Sequence, residues 1–408
     1  MKRVFKTFSL FQSLFLAFYA ILISAAPVYS EAPRWSGSVK SLNIYGEEAP
    51  AELFPDYRLS SNRVRLDMNW QQDRAWQFEA ALDYQYLWRD PKSAFTLPKK
   101  TYNRHLDMEK TWQHGDHASS LLQVDRLNLH WRSGDMDVTL GRQAVGFGRI
   151  LIFSPLDVIA PFAPDALDTD IRRGVDALQG IYNYGMDGQL AATAVWGENS
   201  GDNSLLATWT DNRYGVDLLM ITGSLRDRPM FGAGLAGSLG PLGLKGEFSV
   251  YEGKDTKKAG GDLHDSFAVA AVEAWYRFGS GISLITQYLY NGPGVGNPKD
   301  YNRVLLSAPL QEGLTYLLGR HYLMVAPTYE IHPLATIQGI VIYNLADDSA
   351  LIRPTLDLNL ADNVTLQIFW TSHIGDKPRT VSAFQPPEPR SEFGMIGDNC
   401  GLFLKYFF

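Results

Sequence analysis

Three groups of side chains in this sequence have the types and spacing to do chemistry. In the first, charge alternates with apolar residues: Arg63, Arg65 and Asp67 interleave with Val64, Leu66 and Met68, and Glu79 and Asp83 follow the same rhythm. Arg126, His130, Arg132 and Asp137 extend it. If these segments are strands, one face of each carries charges of both signs. Such charges around a wet lumen create a transverse field that orders polar solutes and rejects apolar ones. The plainer reading, that any wet lumen carries solvated charges, stays open beside it.

The second group lies in or beside residues 144–174: Arg142, Arg149, Asp157, Asp165, Asp168, Asp170, Arg172 and Arg173. Around them stand Ile150, Leu151, Ile152, Phe153, Leu156, Val158, Ile159, Phe162 and Leu167, too apolar for a solvated loop tip. Pro155, Pro161 and Pro164 stiffen the path and exclude a helix. Irregular backbone of this kind is tolerated at membrane depth where it lines a cavity. The expectation is an inward-folded constriction loop whose charges stand at the narrowest part of a pore. The alternative is a surface cap packed on its own apolar residues.

The third group is His105, His114 and His117 beside Asp107, Glu109 and Asp116. It has the ingredients of a metal site or of a hydrolase, and equally those of a solvated loop. Cys400 is the single cysteine, which excludes an internal disulfide, cysteine-rich zinc sites and haem attached through Cys-x-x-Cys-His. No cofactor and no catalytic or metal site is expected.

The elements that must position these groups are strands. Period-two alternation recurs along the chain: at 63–70, at 76–86, and at 352–360, where Ile352, Leu356, Leu358 and Leu360 oppose Arg353, Thr355, Asp357 and Asn359. It predicts about eighteen strands, near 35–45, 61–70, 75–88, 119–132, 135–143, 175–184, 188–197, 204–210 and 213–223. The rest fall near 228–238, 242–252, 266–278, 282–290, 317–330, 334–344, 349–359, 363–373 and 396–408. Tight turns, including Asp211-Asn212, alternate with connections that are often long: 89–118, 144–174, 253–265, 291–316 and 374–395. Short turns on one rim and long loops on the other describe an all-β, transmembrane, antiparallel up-and-down barrel, with sixteen strands as the alternative count. A soluble sandwich has no reason to sort its loops this way. Aromatics near the strand ends, among them Trp70, Trp76, Trp88, Trp131, Tyr182, Tyr184, Trp196, Tyr251, Tyr288, Tyr290 and Tyr343, suit interfacial girdles.

The ends agree. Lys2, Arg3 and Lys6 precede an apolar run over 8–23, and small residues lead to a cut before Glu31, so 1–30 reads as a removable signal peptide and 31–408 as a single barrel domain. Removing three bases and no acids takes the formal charge from −7 to −10, which argues against a nucleic-acid partner. Leu402, Leu404, Tyr406 and Phe408 share one face of a final strand. That strand resembles the C-terminal strand of Gram-negative outer-membrane barrels, and the resemblance makes Phe408 the insertion signal read by the barrel-assembly machinery.

A second resemblance rests on Leu140-Gly141-Arg142-Gln143, Phe147-Gly148-Arg149, Pro155-Leu156-Asp157, Pro161-Phe162 and Arg172-Arg173-Gly174-Val175-Asp176. This pattern is similar to that of porin-like proteins related to alginate-export barrels, with Phe147 where the motif usually has Trp. The resemblance implies a monomer, with a trimer of the general-porin kind as the alternative. Eighteen strands leave an aqueous channel, so the functional expectation is an outer-membrane porin for passive diffusion of small hydrophilic or anionic solutes. Its other partners would be outer-membrane lipid and lipopolysaccharide. The rival readings are export of an alginate-like polysaccharide or surface-glycan anchoring by a plugged barrel, and an outer-membrane hydrolase.

Overall fold

Alternation decides which way each side chain points, and with it where the wall must close. In the computed structural model, residues 32–50, 56–90, 103–380 and 387–408 are described. The first strands are β1 (Arg34–Gly46), β2 (Tyr57–Gln71), β3 (Trp76–Asp90), β4 (Glu109–His114), β5 (Ala118–Ser133), β6 (Met136–Gln143) and β7 (Val175–Tyr184). β8 (Gly188–Trp196), β9 (Ser204–Arg213), β10 (Val216–Leu225), β11 (Arg228–Leu239), β12 (Leu242–Glu252) and β13 (Ser266–Arg277) follow. The last are β14 (Ser283–Asn291), β15 (His321–His332), β16 (Ala335–Asn344), β17 (Ser349–Ala361), β18 (Val364–Ile374) and β19 (Asn399–Phe407).

Every neighbouring pair is antiparallel, and β19 returns to β1 from Ser38↔Phe407 to Gly46↔Asn399, so the ring closes on itself. β4 stands outside the ring count. It pairs with the upper part of β5, from Glu109↔Gln123 to His114↔Ala118, while β3 pairs directly with β5 on the other side. The wall is therefore a closed barrel of eighteen strands. Val64, Leu66, Leu82 and Tyr84 are exposed on the outside, and Arg65 and Asp83 are buried on the inside. That outer apolar band with closed backbone pairing is what a bilayer demands of a spanning sheet.

The expected sorting of connections holds. Tight turns at 72–75, 134–135, 185–187, 214–215, 240–241, 278–282, 333–334 and 362–363 define one rim. The other rim carries 144–174, 253–265 and 292–320 and the described parts of the connections from β1 to β2, β3 to β4 and β18 to β19, with short links at 197–203, 226–227 and 345–348. One turn differs from the expectation at Asp211-Asn212. β9 continues to Arg213, and the reversal falls on Tyr214 (φ 55°) and Gly215 (φ 77°). That two-residue mirror turn matches strand twist, and Asn212 braces it by accepting from Gly215 N at 3.2 Å and donating to Asp217 at 2.7 Å.

β2 starts earlier than expected and β15 later, and β4 falls within the expected 89–118 loop. Tyr251 is not a girdle residue: it faces inward, 3% exposed, stacked on Phe267 at 4.9 Å. The girdle reading fits outward pairs such as Trp76–Trp131, whose rings lie 6.3 Å apart, and Trp209–Tyr184, joined by a 2.5 Å hydrogen bond. The predicted signal peptide lies outside the described residues.

The barrel interior as candidate functional site

Residues 144–174 run across the interior from one wall to the other. The first half is built into the wall formed by β7–β14. Glu247 on β12 accepts from Arg149 N (2.6 Å), Ile150 N (3.1 Å) and the Ser154 hydroxyl, a set of donors that satisfies a buried carboxylate. Leu151 N donates to Glu273 at 2.7 Å, and Gln287 brackets Phe153 through both main-chain groups at 3.1 and 2.7 Å. Leu156, wholly buried, fills a slot that only glycine permits: a Cβ at Gly232 or Gly234 would stand 2.5 or 3.0 Å from its methyl carbons. Val145, Ile150, Phe153, Val158 and Ile159 join Val195, Leu206, Leu219, Ile221 and Leu289 of the wall in one apolar core.

The second half reaches the opposite wall through charge. Asp168 and Asp170 bind Lys40 of β1 at 2.8 and 2.7 Å, Asp170 also meets Lys405 of β19 at 3.1 Å, and Asp165 lies 3.8 Å from Arg353 of β17. The return path is fixed by Arg172, which binds Asp157 at 2.6 Å and lies over the Phe162 ring at 5.2 Å. Burial raises the Asp157 carboxyl above its ordinary range, with Arg172 opposing. Arg149 sits half-buried, 3.5 Å from Asp217. Arg173 is exposed and lines a cavity.

Arg142 is a correction. It was expected at the narrowest part, but it is 1% exposed and clamped, binding Asp176 at 2.7 and 3.0 Å and the carbonyls of Val124 (2.9 Å) and Leu106 (2.6 Å). Residues 103–106 cover it, so its charge does not face the aqueous interior. The inward arginines of the first set are similarly engaged. Arg65 and Arg126 each bind Asp125 at 2.6 Å, Arg104 takes its other oxygen at 2.8 Å, and Gly174 N adds 3.0 Å. Burial, reinforced by Arg142, pushes the Arg104 guanidinium down to about 10. Arg63 pairs with Asp83 and stands 3.7 Å from Asp168, Arg65 also holds Asp67 at 2.8 Å, and Glu79 accepts from Asn128 at 2.8 Å. Arg132 and His130 share Asp137 at 2.5 and 3.2 Å near the short-turn rim.

Sequence reasoning missed Lys40, Lys405, Arg353, Asp125, Glu247 and Glu273. The two lysines occupy inward positions of β1 and β19 in the same alternation that marked Arg63, so the signal for them was present.

The loop divides the interior. On the short-turn side a cavity of about 700 Å³ is lined by Asp165, Asp170, Arg353 and Lys405 and by polar residues of β16–β18. On the long-loop side a cavity of about 600 Å³ is lined by Lys40, Arg63, Asp168, Arg173 and Tyr316. Phe162 and Ala163 border both.

The three histidines are turned apart. His105 meets the Gly197 carbonyl at 3.0 Å and His117 that of Arg89 at 3.0 Å. His114 lies 2.7 Å from the Ser120 hydroxyl, but Ser120 is 2% exposed, a poor position for a nucleophile. Among the described residues no group of His, Cys, Asp and Glu could hold a metal. Phe408 ends the β19 edge through reciprocal main-chain bonds to Gly37 of 3.0 and 2.8 Å, with its ring outward beside Tyr406.

The geometry is that of a closed eighteen-strand barrel with a loop folded across it, and solved structures agree at the level of fold. Acinetobacter baumannii OccAB4 superposes with a TM-score of 0.60 at 10% identity, over 94% of this chain and 100% of that one. Pseudomonas aeruginosa OccK8 (OprE) gives 0.55 at 11% identity, covering 92% and 98%. Pseudomonas aeruginosa OccD3 (OpdP) gives 0.54 at 9%, covering 94% of each. No family model and no curated protein matches the sequence. The likeness to alginate-export-type barrels therefore stands on residues 140–176 alone.

Proposed function

We propose that this protein is an outer-membrane porin that lets small hydrophilic solutes diffuse passively between its two cavities. The observation that carries the reading is the pair of cavities meeting across Phe162 and Ala163. Eighteen strands leave room for water, and the loop crosses that room between the two cavities. In this reading residues 144–174 form the constriction. Asp165, Asp168 and Asp170 of the loop, with Lys40, Arg63, Arg173, Arg353 and Lys405 around them, set its selectivity. Arg149, Asp157 and Arg172 hold the loop in shape. Charges of both signs border the two cavities, and such a lining generates a field across the open space.

The test is planar-bilayer conductance of the refolded chain under a salt gradient. Stable single-channel steps with a nonzero reversal potential are expected. A heat-modifiable, fully folded barrel that conducts nothing would overturn the reading in favour of a plugged lumen.

A further inference from the structure

The cavity on the short-turn side contains charged groups, but its cations are already matched. Asp170 is held by Lys405 at 3.1 Å and by Lys40 at 2.7 Å, and Arg353 is engaged by Asp165 and by the Thr371 hydroxyl at 2.8 Å. What remains for a solute is a field of uncharged donors and acceptors: Thr336, Gln338, Thr355, Thr365 and Gln367, centred on Asp357. Asp357 accepts from the amide nitrogens of both glutamines, Gln338 and, at 2.9 Å, Gln367. That choice fixes the amides, because a carboxylate takes only the NH₂ end. Each amide oxygen is thereby turned away from Asp357. The Gln367 oxygen is buried and has no partner among the described residues, on a side chain only 9% exposed. A buried acceptor without a donor is unfavourable until something supplies one.

We propose that this cavity is a binding subsite for a neutral polyhydroxylated solute, a sugar or short oligosaccharide, in transit through the pore proposed above, on which the assignment rests. A hydroxyl both donates and accepts, so it satisfies the Gln367 oxygen and the threonines together. A carboxylate solute brings acceptors to a site that already presents Asp357 and two amide oxygens. Phe162 and Phe407 border the same cavity and offer flat apolar faces for the C–H side of a sugar ring. At about 700 Å³ the space is within the range of small-molecule sites.

Two measurements on the refolded full chain separate this proposal from the porin reading. Saturation-transfer NMR with maltose, and with gluconate as the anionic comparison, reads binding without reference to conductance. Maltose should show saturable transfer, and gluconate at least several-fold less. Gln367→Leu should weaken maltose by about fivefold, and Phe407→Ala should reduce transfer to the ring C–H protons, with heat-modifiable mobility confirming that each variant is folded. Equal or tighter gluconate binding, or maltose binding that Gln367→Leu and Phe407→Ala both leave unchanged, overturns the proposal. Channel steps without maltose binding would remove the subsite and keep the pore. Maltose binding without channel steps would do the reverse.

Discussion

The two sides of this barrel use the same wall for opposite purposes. Along β7–β14 the inward residues include Val195, Leu206, Leu219, Ile221, Val269 and Leu289, and they bury the first half of the 144–174 loop as if it were a core. Along β15–β19 and β1–β3 the inward residues include Gln338, Arg353, Asp357, Lys405, Lys40 and Arg63, and they border open space. One loop joins both regimes: mainly apolar from Ile150 to Ile159, with Asp157 paired to Arg172, and rich in charge from Asp165 onward. The lesson is that a lumen is not one environment. Half of it behaves as a protein interior, where a lost contact changes stability, and half as a surface, where a lost charge changes the field.

Substitutions can break that contrast. The largest effect should come from Arg142→Met, which leaves Asp176 a buried charge without its guanidinium and should destabilise by about 3–5 kcal/mol, read as a fall in the temperature of heat modification. Its reversal potential should stay that of the native chain, because the group is enclosed. A selectivity change without a stability change would place Arg142 back on the pathway. Leu156→Ala should follow at about 2–5 kcal/mol, the cost of an emptied buried site, and should raise single-channel conductance as the loop loosens from Gly232 and Gly234. Native conductance in that variant would show that the apolar half does not hold the loop. Asp170→Asn should barely alter stability but should shift the reversal potential toward anion selectivity, since Lys40 and Lys405 lose a shared countercharge. An unmoved potential would show that this trio lies off the ion path.

The smallest effect concerns the long-loop rim. Glu392 ties its connection to two strands and a neighbouring loop, accepting from Leu318 N at 2.8 Å, from Asn344 of β16 at 2.9 Å and from the Tyr322 hydroxyl of β15. Burial pushes its carboxyl up to about 7. A raised value means that the folded rim favours the neutral acid, so the stabilisation is complete below the ordinary carboxylate range and is lost as pH rises through about 7. Protease nicking of 375–398 should therefore increase between pH 6 and 8 (roughly one unit either side of that value), and Glu392→Gln should flatten the profile. A native profile that is already flat would remove the role.

The same contrast explains how much was legible in the sequence. On the open side, charge inside and hydrocarbon outside produce clean alternation, so β2, β3 and β17 were readable with their faces correct. On the filled side both faces are apolar, as in Leu205-Leu206-Ala207 and Leu218-Leu219-Met220-Ile221, and period two fades. The one misplaced turn, at 211–212, fell there. The charges of 144–174 could be named, but most of their partners could not, because apart from Arg172–Asp157 the ion pairs join residues far apart in sequence. Lys40 and Asp168 are separated by 128 positions. Arg142 lost its expected place for a related reason: nothing local shows that residues 103–106 lie over it.

Asp170 draws on lysines from β1 and β19, the first and last strands of the wall, which meet only at the seam. Its binding site is therefore absent from any partly assembled sheet and comes into being with the final strand. The loop's last fastening is in that sense a receipt for ring closure: until β1 and β19 meet, Asp170 has at most one of its two lysines beside it.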